Sequence, residues 1–430
     1  MNLKNARPFL PLLALYTLLI LVLSPEAVDH DEWRYLMYAE NILDGYYTDR
    51  SDPNLMNGPG YPAFLAIFLG LNFPPIVTKL ANGALMFLAV VYLFEVLRFF
   101  ISKTRAIVFA YGLGLYVPAL IWMPLRITDC LSLFLICAVM CYIVRTLRAA
   151  SWPVKDIIIG SLLLAWLILT KLFFGMLVLA FLFLAAVHYL FSRRSASLRY
   201  VMMLGLGWLV GAVPYLIYTH SLTGRWGYWS TNGGEQLYWM SSHLDREYGN
   251  WLTPDYVMLR KIDGIDASHL EFFDMAYGKV ECLPPVYLGD NCRPHVERND
   301  LFIATAKERI RANPRGYLYN YAASAVRLAL GYPYSYRSQT LSTIPYLVFQ
   351  LFYLVPLALS VIPAWRNRDS IPFEVRSLCS FTPLYWMIIC LLTGTPRHFI
   401  PLVPFILVWL GFVCTRFVQI SLEEHPNDAG

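Results

Sequence analysis

Charge is scarce in this sequence. Only 15% of its 430 residues are Asp, Glu, Lys or Arg, against 57% hydrophobic. A soluble chain usually carries about 25% charge, so a soluble globular protein is excluded. The sequence also has no Walker phosphate loop, no GxSxG elbow and no HExxH helix, so a cytosolic ATP or nucleotide-sugar mechanism has no support. Its eight cysteines and eight histidines form no set with metal-site spacing. There is no clear internal repeat and no low-complexity tract. No Ala-x-Ala-like site precedes Asp29, and Ser24-Pro25-Glu26 is a poor cleavage context. The apolar run Phe9–Leu23 is therefore read as an uncleaved helix rather than a signal peptide.

What the sequence does have is a series of apolar runs near the roughly 20 residues that span a bilayer. After Phe9–Leu23 come Ile76–Leu97, Ala106–Trp122 and Cys130–Val144. Ile157–Phe191, 35 residues long, is enough for two helices turned near Thr170-Lys171. Tyr200–Tyr218, Ile344–Pro363, Leu378–Leu392 and Phe399–Phe417 complete about ten spans. Lys4 and Arg7 put the N-terminus in the cytoplasm, and the Lys/Arg clusters between spans then fall on that same side. The 29 Tyr and 12 Trp suit a protein with two membrane–water interfaces. Because the basic residues sit in short loops, the net charge of +5 implies no nucleic-acid partner. The expected fold is an all-α integral membrane bundle. It divides into an N-terminal membrane core over 1–219 with an interfacial loop at 24–75, a small mixed outer region over 220–343, and C-terminal membrane helices over 344–430. In the outer region, Asp300–Asn313 reads as an amphipathic helix capped by Asn299 or Asp300 and stopped by Pro314. Gly316–Leu330 reads as another helix. Six cysteines lie in apolar runs. Cys282 and Cys292 lie in a polar segment, and form a disulfide if that segment is outside the cytoplasm, or else remain two free thiols.

The chemistry-bearing residues gather at the outer ends of the spans. Asp31–Leu43 has the pattern of an interfacial helix. Asp31 at its start can be a general base, or can merely favour the helix dipole beside the capping box Asp29-x-x-Glu32. Asp129 opens the fourth span, either as its N-cap or as a group holding an acceptor sugar or a metal. Lys171 lies inside a long apolar stretch, where a Lys is costly and suggests function; the alternative is snorkelling to the interface. Arg397 and His398 put positive charge on the outer side, against the topological bias. That suits an anionic ligand, and an ordinary headgroup contact is the alternative. Arg126, Arg225, Arg327 and Arg337 also fall near the outer interface, without a ranking among them.

These residues together resemble the GT-C superfamily of polyprenyl-phosphate-sugar-dependent glycosyltransferases. The branch most similar groups bacterial lipopolysaccharide and lipid A transferases with protein O-mannosyltransferases. Asp31-Glu32-Trp33-Arg34-Tyr35, with Ala39 and Gly45, resembles the first outer-loop signature of that family. Asn57-Gly58-Pro59-Gly60-Tyr61-Pro62 resembles its next segment, Arg126-Ile127-Thr128-Asp129 its second acidic loop, and Leu169-Thr170-Lys171 its Leu-Thr-Lys element. Arg397-His398-Phe399 with Pro401 and Pro404 resembles its closing element, with His398 in place of the usual aromatic residue. The resemblance implies a sugar donor on a polyprenyl phosphate, a glycan, lipid or protein acceptor, and transfer with inversion on the outer face of a bacterial inner membrane. Asp31 would be the base, and Glu32 and Asp129 would position the acceptor or a cation. In the reading drawn from the residues themselves, Lys171, Arg397 and His398 hold the phosphate, and the Tyr- and Trp-rich loop around Asn232–Trp239, with Asn232, Glu235 and Tyr238, closes over the sugar. Metal dependence varies within the family and is left open, with Mg or Mn as the candidate cation. A ligase or polymerase using a diphosphate-linked donor, and a lipid-linked sugar transporter, are the rival readings.

Overall fold

The computed structural model describes residues 3–25, 27–28, 30–244, 246–278, 292–336 and 344–418. Helices follow from the N-terminus as α1 (Leu10–Leu23), α2 (His30–Leu43), α3 (Gly60–Gly70), α4 (Pro75–Arg98), α5 (Lys103–Gly114), α6 (Val117–Trp122), α7 (Asp129–Arg148), α8 (Val154–Thr170), α9 (Phe173–Ser192) and α10 (Ser195–Thr223). The segment expected on the outer side, the outer region, holds α11 (Gly233–Met240), α12 (Pro254–Met258), α13 (Ala267–Tyr277), α14 (His295–Ala312) and α15 (Pro314–Leu330). The chain closes with α16 (Ile344–Arg366), α17 (Phe373–Cys379), α18 (Phe381–Ile389), a 3-10 turn over Pro396–Leu402 and α19 (Val403–Arg416). No strand occurs among the described residues, so the region expected to be mixed is helix and irregular chain where it is described.

Among the described residues, six helical segments are long and apolar enough to cross a bilayer: α4, α7, α9 and α10, the stretch Tyr346–Arg366, and Pro396–Arg416. The chain is an integral membrane protein. The other expected spans are shorter or interrupted. The run Ala106–Trp122 breaks between α5 and α6, and Leu378–Leu392 breaks at Ser380 between α17 and α18. The apolar stretch Ile157–Phe191 turns between Thr170 and Phe173.

Helix α7 is the axis of the bundle. Nearly every one of its side chains is buried, and it packs on α4, α8, α10 and α17. A helix apolar all round belongs at the centre of a bundle rather than against lipid. At 1.5 Å per residue its 20 residues cover about 30 Å, the hydrocarbon thickness of a bilayer. Asp129 begins this helix, and Arg145 and Arg148 lie in its last turn. The basic end is tied together: Arg148 donates to Phe99 O and pairs with Glu374, Arg145 pairs with Asp156, and Arg199 donates to Ala149 O and Ser151 O.

The outer region has a core of its own, formed by Tyr238, Trp239, Leu252, Val257, Phe273, Tyr277 and Phe302. Helix α14 begins at His295, earlier than the expected start at Asp300, and Pro294 at its N-cap gives no side-chain bond. The two expected cap residues serve elsewhere. Asn299 Oδ1 accepts from Gly234 N at 2.8 Å, and Asp300 forms a two-bond pair with Arg225. Cys292 is disulfide-bonded, and its expected partner, Cys282, lies outside the described residues.

The loop between α2 and α3 is pressed onto the end of α8. A Cβ on Gly58 would lie 2.1 Å from Leu169 O, and one on Gly60 would lie 2.5 Å from Thr170 N. Trp166 Nε1 donates to Gly60 O at 3.0 Å. This contact brings α2 and Lys171 to one level. Gly58→Ala forces loop and helix apart and is expected to destabilise the protein by about 1–3 kcal/mol, read as a lower thermal midpoint in detergent; an unchanged midpoint contradicts this packing.

Candidate active site

Three helix ends meet at the N-terminal end of α7. Asp129 is its first residue, where the positive end of the helix dipole favours a carboxylate. Lys171 is the C-cap of α8, where exposed carbonyls favour a cation. Arg397 lies in the 3-10 turn leading into α19. Asp129 and Lys171 therefore sit at the helix ends that stabilise them, whereas Arg397 precedes a helix N-terminus and draws its stabilisation from the carboxylates around it.

The side chains form a closed set of ion pairs. Asp129 Oδ1 accepts from Lys171 Nζ at 3.2 Å. Asp129 Oδ2 accepts from Arg397 Nε at 3.0 Å and Nη2 at 2.5 Å. Arg397 Nη1 donates to Asp31 Oδ2 at 2.9 Å, and Arg34 Nη2 donates to Asp31 Oδ1 at 2.6 Å. The guanidinium of Arg397 thus bridges the two carboxylates, with Trp122 beneath it at 4.5 Å. The Asp129 side chain is 3% exposed, whereas that of Asp31 is 39% exposed. Burial raises the Asp31 pKa, but the guanidiniums of Arg34 and Arg397 outweigh it and hold the carboxyl below the usual carboxylate range.

A second layer fixes this set. Glu32 Oε1 accepts from the backbone N of Arg126 at 2.7 Å and from Nε at 3.2 Å, tying α2 to the turn before α7. Asn82 Nδ2 on α4 donates to Leu125 O in the same turn at 2.7 Å. Asn57 accepts from Arg34 Nε at 2.7 Å and donates to Tyr35 OH at 3.0 Å. Arg327 is fully buried, and its guanidinium donates to Gly394 O, Tyr248 O, Gly249 O and Pro333 O. It thereby holds the turn that carries Arg397. Gly394 itself fits only as glycine, since a Cβ there would lie 2.2 Å from Ser324 O.

The structure brings Asp31, Asp129, Lys171 and Arg397 together, with Glu32 immediately behind. His398 does not join them: its Nδ1 faces Thr393 O at 3.2 Å and Thr395 Oγ1 at 3.4 Å, where it shapes the turn. The expected sugar loop divides. Ser230 and Thr231 bond Met56 and Leu55 beside the site. Asn232 follows them, with a buried Oδ1 that has no hydrogen-bond partner among the described residues. Tyr238 is fully buried in the outer core, its hydroxyl shared by His269 Nδ1 at 2.7 Å and Arg309 Nη2 at 3.2 Å. Its hydroxyl is therefore committed to the core and offers nothing to a ligand. Glu235 is buried too, accepting from Trp251 Nε1 at 3.0 Å and Tyr277 OH at 2.9 Å. Sequence reasoning missed Arg34, Asn57 and Trp122 as site residues. Arg34 and Asn57 had a legible signal, both standing in segments that carry the family resemblance, and Arg34 also lies three residues after Asp31 on one helix face. Arg337 lies outside the described residues.

The helical membrane architecture and this ion-paired site define the chain as an integral membrane protein with its polar centre at one bilayer edge. Its fold is similar to that of archaeal oligosaccharyltransferase AglB from Archaeoglobus fulgidus, solved with an inhibitory peptide and a dolichol-phosphate. That match has 13% identity and a TM-score of 0.49, and covers 94% of this chain and 50% of that one. ArnT from Cupriavidus metallidurans, solved with undecaprenyl phosphate, matches at 14% identity and a TM-score of 0.38, over 95% of this chain and 77% of that one. This chain spans about half the length of the AglB chain. No family model and no curated protein sequence matches it.

Burial pushes the Glu235 carboxyl up to about 7, against the lowering effect of the Tyr277 and Trp251 hydrogen bonds. The folded form therefore holds a proton that the unfolded chain, with an ordinary Glu value near 4.3, releases earlier. Stability is greatest below that value, falls as pH rises to about 7, and is level above. Thermal midpoints of Glu235→Gln should lose this decline between pH 5 and 8; an unchanged pH profile would show that Glu235 is not its source.

Proposed function

We propose that the protein is an inverting glycosyltransferase that moves a sugar from a polyprenyl phosphate to an acceptor hydroxyl on a glycan, lipid or protein. One observation carries the reading: two carboxylates and three cations, drawn from the first, second and last outer loops and the turn after α8, share one cluster at the bilayer edge. A lipid phosphate sits at that depth with its tail in the bilayer. The cluster has one more cation than anion, which suits a ligand whose negative charge grows as its bond breaks.

In this reading Asp31 accepts the proton of the acceptor hydroxyl. The oxygen attacks the anomeric carbon from the side opposite the phosphate. The bond from that carbon to the phosphate oxygen breaks, and lipid phosphate leaves with the electron pair. Lys171 and Arg397 hold the departing oxygens. Asp31 is a weak base while Arg397 pairs with it. A donor phosphate that draws on Arg397 loosens that pair and raises the basicity of Asp31 as the acceptor arrives. Glu32 positions the turn carrying Asp129, and Asn232 Oδ1 offers an open acceptor to a sugar hydroxyl. The basic belt at the far end of α7 supports a cytoplasmic face there. The site then opens to the outer side, the periplasm if the membrane is a bacterial inner membrane.

Asp31→Asn keeps the shape but cannot take the proton. Turnover in proteoliposomes is expected to fall about 10²–10⁴-fold, with membrane insertion and donor binding retained. Turnover within a few-fold of wild type refutes Asp31 as the base.

A further inference from the structure

The pairing around Arg397 bears on how the site is neutralised, and so on whether a divalent ion takes part. This inference rests on the transferase reading for its location at the donor phosphate. An Mg²⁺ or Mn²⁺ ion would need several oxygen ligands converging on one point, with near-octahedral geometry for Mg²⁺. The carboxylates available at the cluster are Asp31, Asp129 and Glu32.

Asp31 and Asp129 have both oxygens engaged by cations, and Glu32 has one oxygen engaged by Arg126. Both oxygens of Asp31 accept from guanidinium groups, Arg34 on one and Arg397 on the other. Both oxygens of Asp129 accept from cations, Lys171 on one and Arg397 on the other. Glu32 Oε1 is bonded to Arg126. His398 Nδ1 faces Thr393 O. Among the described residues no three His, Cys, Asp or Glu side chains are placed to hold a metal.

The space between the two carboxylates is filled by the guanidinium of Arg397. That group is not on a free arm. Trp122 lies beneath it, and its turn is anchored through Gly394 O to the buried Arg327. A divalent ion entering between Asp31 and Asp129 would have to expel a cation held by both. It would do so facing Arg34 and Lys171, which repel it.

We propose that Arg397 is the internal cation of this site. It bridges Asp31 and Asp129 in the space that a divalent ion between them would have to occupy, and donor phosphate binds there without a metal. A fixed guanidinium matches two phosphate oxygens in one plane. The donor's negative charge is then met by Arg397 and Lys171.

Two measurements on the full-length protein in detergent test this. The first is Mn²⁺ binding followed by the free-ion electron paramagnetic resonance signal. The second is the affinity for undecaprenyl phosphate, measured by intrinsic tryptophan fluorescence in EDTA and again with 5 mM Mg²⁺, a concentration on the order of physiological levels. Wild type is expected to bind no stoichiometric Mn²⁺ at sub-millimolar concentration and to hold the lipid phosphate equally, within twofold, in both buffers. Arg397→Gln is expected to weaken the lipid phosphate at least tenfold. If that variant fails to fold, the two wild-type results decide the matter. Stoichiometric Mn²⁺ binding by wild type that disappears in Asp129→Asn overturns the proposal, as does a tenfold loss of lipid affinity in EDTA. A wild type that binds neither Mn²⁺ nor lipid phosphate keeps the guanidinium bridge and removes the transferase reading instead.

Discussion

The guanidinium of Arg397, held between the carboxylates of Asp31 and Asp129, is the interaction on which the rest of the site depends. Charges at a membrane edge lose much of their hydration, and removing one partner from a buried pair costs about 3–5 kcal/mol. The pairing therefore links four distant parts of the chain: α2, the start of α7, the end of α8 and the turn before α19. Each of these has a separate device that fixes its backbone. Gly58 and Gly60 allow the first loop to lie against α8, Asn82 and Glu32 hold the turn before α7, and Arg327 holds the turn before α19. Helix ends carry Asp31, Arg34 and Asp129, and the turns after α8 and before α19 carry Lys171 and Arg397.

The outer region is built differently. Its core is aromatic, and it contains a buried chain of polar groups running from Ser242 and Tyr336 through Glu247 and His269 to Tyr238 and Arg309. A network whose members are bonded to one another specifies a single arrangement of the core. That arrangement orients α11 and α14. The stretch Ser230–Asn232 is in turn pinned to Leu55 and Met56, beside the ion pairs. Packing in the outer region thus fixes the wall of the site without contributing its charged groups.

Much of this was legible in the sequence, and the failures have physical causes. Lys171 stood out because a single Lys interrupts a long apolar stretch, and the helix does turn there. Asp129 and Arg397 stood out because charge at the outer ends of spans needs a reason. Arg327 could not be separated from the other outer arginines, since four backbone carbonyls of irregular chain pay no visible tribute in composition or periodicity. Trp122 was counted as the end of a span. It reaches Arg397 because the helix breaks at Leu115–Tyr116 and α6 carries it back to the site. Tyr238 was grouped with a sugar loop on the strength of its aromatic neighbours, yet those neighbours form a core. Asn299 and Asp300 have the residue types of a helix cap, but Gly234 and Arg225, distant in the sequence, claimed both, and α14 started earlier. In each miss, tertiary contacts overrode a local signal.

The most direct measurement is the identity of the lipid released when donor and acceptor meet in proteoliposomes. The account expects free polyprenyl monophosphate, formed one for one with a product of inverted anomeric configuration. Release of polyprenyl diphosphate, or movement of intact sugar-lipid across the bilayer without cleavage, would contradict it.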